Sequence, residues 1–141
     1  MGKTTRQRNK DLIEQYGEAY NQRDRQWFEE HLADPVVFDG AEVARDDALA
    51  AYEMYWNAFP DCEISKEEVI AEGDTVVVRE RFTGTHDGGP YRGIEPTGAA
   101  VDVSETVTFR IEDGRIAEIW FEWDELGMYE QLGVIEHPVE Q

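Results

Sequence analysis

Positive charge is scarce in this sequence. Thirteen Lys and Arg face 32 Asp and Glu over 141 residues, a formal net charge of −19, and only Lys3, Lys10 and Lys66 are lysines. Phosphate backbones are bound through basic footprints, so nucleic acid is excluded as a partner, and an anionic membrane surface would repel the chain. Cysteine is nearly absent: Cys62 stands alone, which excludes a disulfide scaffold and a cysteine-based zinc site. Its acidic neighbours raise a thiol pKa, so Cys62 is expected to be a packing residue. No His-x-His or His-x-x-x-His pair occurs, so a metal site is not expected. No apolar run approaches the length of a membrane span. The first ten residues are polar and basic, with no apolar core of a secretory signal, and a cytoplasmic location is expected.

Apolar residues, by contrast, are present in a globular proportion. The composition is 40% hydrophobic and 11% aromatic, and 141 residues suffice for one domain with a real core. We therefore expect a single domain over residues 1–141, with its core at about 9–133. The acidic excess is spread along the chain and no Asp-x-Asp-x-Asp-Gly loop is present. It reads more naturally as a surface adapted to high salt than as a cation site.

The pattern changes character near the middle of the chain. Leu12, Ile13, Tyr16 and Tyr20 recur at helical spacing and predict a helix over Thr5–Gln22. Asp24 can cap a short second helix holding Trp27, Phe28 and Leu32. Val36-Val37-Phe38 is a short strand closed by Asp39-Gly40. A third helix follows over Arg45–Ala58, which Pro60 stops. Strands are then predicted over 61–72, 75–85, 99–112 and from Arg115 onward. The loop from His86 to Gly98 carries too many glycines and prolines for regular structure. Asp113-Gly114 marks a hairpin. A last helix over Glu125–Leu132 ends at Gly133.

Helices first and a strand meander afterwards mean α+β, with a curved mixed or antiparallel sheet wrapped around the N-terminal helices. Such a sheet, closed on one side by helices, leaves a cone-shaped cavity. In the last strand, strict alternation places Ile116, Glu118, Trp120, Glu122 and Asp124 on one face, read as a pocket wall. The opposite face would carry Ile119, Phe121 and Trp123, too apolar for water and therefore expected to pair two subunits sheet to sheet.

Six blocks occur together in order: Ala58-Phe59-Pro60-Asp61, Glu72-Gly73-Asp74, Gly84-Thr85-His86-Asp87-Gly88, residues 93–98 (Gly-Ile-Glu-Pro-Thr-Gly), residues 113–118 (Asp-Gly-Arg-Ile-Ala-Glu) and Gln131-Leu132-Gly133. In this combination the chain resembles the SnoaL-like polyketide cyclases, or ester cyclases, of the nuclear transport factor 2-like superfamily. The resemblance implies a cone-shaped α+β roll, a homodimer, one pocket per subunit and no cofactor. It further implies an aspartate acting as acid and base in an intramolecular aldol closure. The matching position is Asp124, which equally suits the N-cap of the last helix. His86, in the Gly-Thr-His block, is the second catalytic candidate; its alternative role is to bond backbone carbonyls of the loop. His31 and His137 have weaker claims.

Tyr16, Tyr20, Tyr52, Trp56, Phe59, Glu105, Trp120 and Glu122 are the expected substrate pocket. An ordinary cross-strand ion pair between Glu105 and Arg79 or Arg110 is the default role for those charges. Three functions compete on these grounds. One is a cyclase, isomerase or lyase acting on a small apolar carbonyl compound. Another is a module that binds a hydrophobic ligand without turnover. The third is a dimerisation domain whose cavity is filled by aromatics.

Overall fold

Local chemistry sets the N-terminal helix of the computed structural model, which describes residues 2–136 and 139. Helix α1 (Thr5–Gln22) starts where the Thr4 side chain accepts from the Gln7 amide and ends at Arg23 in the left-handed region. Its stripe of Leu12, Ile13, Tyr16 and Tyr20 is buried. Asp24 caps α2 (Arg25–His31) by accepting from the Trp27 amide at 3.2 Å. Leu32, predicted as helical, instead opens strand β1 (Leu32–Phe38). Asp39 and Gly40 both take positive φ, making the tight two-residue turn that returns the chain as β2 (Ala41–Val43). This three-residue strand has no period-2 signature long enough to be read from the sequence.

Helix α3 (Arg45–Ala58) stops before Pro60, as expected. Four long strands follow: β3 (Glu63–Glu72), β4 (Thr75–Thr85), β5 (Ala100–Glu112) and β6 (Arg115–Trp123). Helix α4 (Glu125–Leu132) closes the fold, with Gly133 in the left-handed conformation behind it. The four-stranded meander thus grows to six strands, in the order β2-β1-β6-β5-β4-β3. All neighbours are antiparallel except β1 and β6, which run parallel. The sheet is curved and unclosed, and the helices fill its concave side. Tyr16 of α1 meets Phe28, Tyr52 and Phe109 edge to face there, at centroid distances of 5.2, 6.2 and 4.9 Å.

The parity expected for β6 is reversed. Ile111 pairs with Ile116, but Arg110 pairs with Glu118, so Ala117 is an extra residue in the β5–β6 ladder. A bulge of this kind advances the count by one and turns every later side chain to the other face. Ile119 is consequently buried, while Phe121 and Trp123 line the interior cavity. Trp120 is 42% exposed on the convex face, and Glu122 is exposed beside it. The apolar outer face on which the sheet-to-sheet dimer was argued is therefore not built from Ile119, Phe121 and Trp123.

Convex-face charges pair with one another: Arg81 with Asp102 at 2.7 Å, Arg110 with Glu118 at 3.5 Å, Arg79 with Glu67 at 3.7 Å. Exposed pairs of this kind contribute little each. They leave most of the acidic excess uncompensated, so self-repulsion should oppose folding at low ionic strength. Raising KCl from 0.1 to 2 M, where the Debye length falls from ~10 Å to below ~3 Å, is expected to raise the thermal midpoint by about 10 °C. Equal midpoints in a pair of thermal melts would reject the repulsion argument.

Candidate functional site

Alternation along β4 buries Val76, Val78, Glu80 and Phe82, so a carboxylic acid takes its place in an otherwise apolar row. The same periodicity in β5 points Val101, Val103, Glu105 and Val107 inward. The β4–β5 register then sets Glu80 directly opposite Glu105. Side chains that oppose each other in an antiparallel ladder are in contact distance, and two like charges there repel. Glu80 is 3% exposed. Burial, first, and then its hydrogen bond with Glu105 and the charge of Glu105 push the Glu80 carboxyl up to about 10, against a partial opposing pull from Lys66. Two facing carboxyl groups disfavour double ionisation, and the more deeply buried Glu80 keeps its proton near neutral pH.

The pair borders a cavity of about 210 Å³. Every α-helix except α2 contributes to its walls, with Tyr16 and Tyr20 from α1, Tyr52 and Tyr55 from α3, and Met128 from α4. The sheet supplies Phe82, Phe121 and Trp123. The aromatics therefore do not fill the cone. The hydroxyls of Tyr16 and Tyr52 hydrogen-bond each other in the buried wall. Burial, the leading cause for each, pushes both phenols above their ordinary value, so they remain neutral. At the outer end stand two further ionisable side chains, Asp39 and Arg92. The Asp39 carboxylate accepts from the Phe121 amide at 2.7 Å, which ties the β1–β2 turn to β6.

The residues expected from sequence divide sharply. Tyr16, Tyr20, Tyr52 and Glu105 line the cavity. Trp56 and Phe59 lie behind it in the core, Trp56 against Tyr20 and Phe28, Phe59 against Phe82 and Tyr91. Trp120 and Glu122 are on the outer face, for the bulge reason given above. Glu105 pairs with neither Arg79 nor Arg110, since those arginines alternate onto the convex side.

Asp124 is exposed, does not line the cavity, and caps α4 by accepting from the Gly127 amide at 2.8 Å. Substitution separates capping from any other role. Asp124→Ala is expected to lose about 1 kcal/mol in urea denaturation, while Asp124→Asn, an equivalent cap, stays near wild type. A stable Ala variant would show that the cap contributes nothing.

His86 is fully buried but sits inside its loop and away from the cavity wall. Its Nε2 lies 3.2 Å from the Gly89 carbonyl, and its Nδ1 accepts from the Thr97 amide at 3.3 Å. These bonds fold the 86–98 segment against α3, where Gly88 fits because a Cβ would collide with the Asn57 carbonyl. The imidazole thus serves the loop that carries Arg92. Of the other histidines, His31 stacks on Trp27 on α2, and His137 lies outside the described residues. Among the described residues no cluster of three His, Cys, Asp or Glu is placed to hold a metal ion. None of their helices is long and apolar enough to cross a membrane.

Glu80, Arg92, Asp39 and Tyr55 were not anticipated as site residues. For Glu80 a signal existed, since an acid shares a strand face with Phe82 and the valines. Arg92 gave none, because its position depends on a hairpin inside an irregular loop.

Comparison with known proteins adds a family to this geometry. Residues 10–132 match the family model described as SnoaL-like polyketide cyclase. No match was found among curated proteins. Similar solved structures include TsrD from Streptomyces laurentii, at 29% identity and a TM-score of 0.84, covering 94% of this chain and 100% of that one. AclR from Streptomyces galilaeus is 27% identical with a TM-score of 0.84, covering 94% and 89%. Wild-type IdmH from Streptomyces antibioticus is 28% identical with a TM-score of 0.78, covering 89% and 99%.

Proposed function

Because the chain belongs to the SnoaL-like polyketide cyclase family, we propose that it is an enzyme whose Glu80–Glu105 pair enolises a compact carbonyl compound for ring closure or isomerisation. The observation that carries this reading is the opposition of the two carboxyl groups at the cavity wall, one of them deeply buried. Proton abstraction next to a carbonyl needs a base at the carbon and a donor at the oxygen. Glu105, the less buried partner, takes the proton from carbon. Glu80, which holds its proton, donates to the carbonyl oxygen.

The C–H bonding pair becomes the enol π bond as the carbonyl π pair moves to oxygen. In ring closure the enol carbon then forms a C–C bond to a second carbonyl of the same molecule. That oxygen takes up the proton held by Glu105, and Glu80 recovers its own as the first carbonyl is restored. In isomerisation the carbon is reprotonated at another position. Tyr16 and Tyr52, kept neutral by burial, shield the pair from water on the helix side.

Size supports a small substrate. A cavity of 150 Å³ accommodates benzene, so about 210 Å³ suits one or two rings with any further part reaching the mouth. The aromatic walls equally suit an apolar ligand held without turnover, which is the second reading. We retain a two-fold dimer as part of the proposal, with exposed Trp120 on the convex face as its centre. The test of catalysis is α-proton exchange of 2-tetralone in D₂O, followed by NMR, in wild type and in glutamine variants of the pair. Enolisation requires exchange in wild type, and an unaltered rate in both variants would refute it.

A further inference from the structure

Among the described residues, the charged groups lining the cavity are Asp39, Glu80, Glu105 and one cation, Arg92. In so acidic a chain that choice calls for a reason. Arg92 and Gly93 both take positive φ, at 48° and 82°, as the two tip residues of a tight turn. Tyr91 and Ile94 close that turn by exchanging backbone hydrogen bonds of 2.9 and 2.8 Å. A left-handed conformation is uncommon for a residue with a side chain, and such strain concentrates at functional positions. Arg92, at that tip, lines the cavity.

The guanidinium is also held in place. Its carbon lies 5.3 Å from the Tyr91 ring centroid and 5.5 Å from that of Trp123. Nη1 donates to Glu125 Oε1 at 2.8 Å and to the Tyr129 hydroxyl at 3.1 Å. Among the described residues neither Nε nor Nη2 is ion-paired, and the guanidinium also donates to the Tyr55 hydroxyl. One two-donor edge of the fork is therefore positioned, flanked by aromatic rings, and met by no carboxylate of the described residues. Planar two-donor edges match carboxylates, and stacking holds them ready at low entropic cost.

We propose that Arg92 is a carboxylate-binding subsite, and that the substrate is a compact oxo acid whose carboxylate lies at the mouth while its enolisable carbonyl meets the glutamate pair. The assignment of the inner end rests on the acid–base reading given above; the assignment of the outer end does not. The polarity of the cavity fits this orientation, because Glu80 is buried at one end and Arg92 is exposed at the other. Glu125, bound at Nη1, leaves the two-donor edge open but partly neutralises the guanidinium and so weakens its pull on a carboxylate.

The probes are 2-naphthoate and 2-naphthamide, equal in shape and different in charge, titrated calorimetrically at pH 7.5 and fixed ionic strength. Wild type should bind naphthoate about tenfold tighter than the amide, the scale of one charge-assisted contact. Arg92→Gln should abolish the preference while leaving naphthamide affinity in place, which shows that the cavity itself is intact. Glu125→Gln should tighten naphthoate, because the guanidinium is then unopposed. Equal affinities in wild type, failure of naphthoate to bind, or a preference that survives in Arg92→Gln would each overturn the proposal. Glu105→Gln should retain the naphthoate preference, so loss of the enolisation reading would leave this result standing, and the reverse holds as well.

Discussion

Exchange of the α-protons of 2-tetralone should fall by about 10²-fold or more when Glu105 becomes glutamine, the scale of a general base. The amide keeps the volume and the hydrogen-bonding reach of the acid, but it cannot accept a proton from carbon at a useful rate. Because Glu80 stands opposite on β4, glutamine at 105 can still bond it, and the fold should survive. Glu80→Gln removes proton donation to the carbonyl oxygen and should also slow exchange, by a smaller factor, since the amide N–H still donates a hydrogen bond. Asp124→Asn should exchange at the wild-type rate, because that side chain caps α4 and lies off the cavity. Loss of exchange in the Asp124 variant, with full activity in the Glu105 variant, would return the chemistry to the end of β6.

Stability is expected to move the other way at Glu80. Its folded-state carboxyl is raised from an ordinary 4.5 to about 10, chiefly by burial. Between those values the folded chain holds one more proton than the unfolded chain. Stability is thus fullest below about pH 4.5 and declines as pH rises, by up to ~1.4 kcal/mol per unit, until the folded group itself ionises. Glutamine at 80 has no proton to hold, so the variant escapes this loss. We expect Glu80→Gln to match wild type near pH 4 and to exceed it by about 2 kcal/mol at pH 7 or above, discounting the full linkage value for coupling within the pair. Glu105, Lys66, Tyr16 and Tyr52 surround the group, and all are unchanged in the variant. Urea midpoints of the two proteins from pH 4 to 9 provide the measurement. Parallel curves would mean that Glu80 is ionised in the native state.

Such a cost is consistent with a site and hard to explain as scaffold. A buried acid facing another acid opposes folding, and a leucine at 80 would pack against Phe82 and Val78 without penalty. Together with the open cavity, that supports the proposed role of the pair in proton transfer.

Local signals in the sequence determined the helices and most strand limits. Thr4, Asp24, Asp124 and Gly133 cap or stop helices through contacts with neighbours a few residues away. Such contacts are fully encoded in short stretches of chain. Period-2 alternation likewise determined that Glu80 shares a face with Phe82 and that Glu105 shares one with Val103. Tertiary structure alone decided which acids meet, because the β4–β5 register depends on pairing along eleven positions across the intervening loop. It also decided the direction of β6, where one extra residue at Ala117 reverses the face of Trp120, Phe121 and Trp123. Alternation cannot reveal a bulge, since the sequence on either side still alternates. Arg92 needed most of all: a turn within an irregular loop, rings from β6 and the loop itself, and a carboxylate from α4, brought together only when the cone closes.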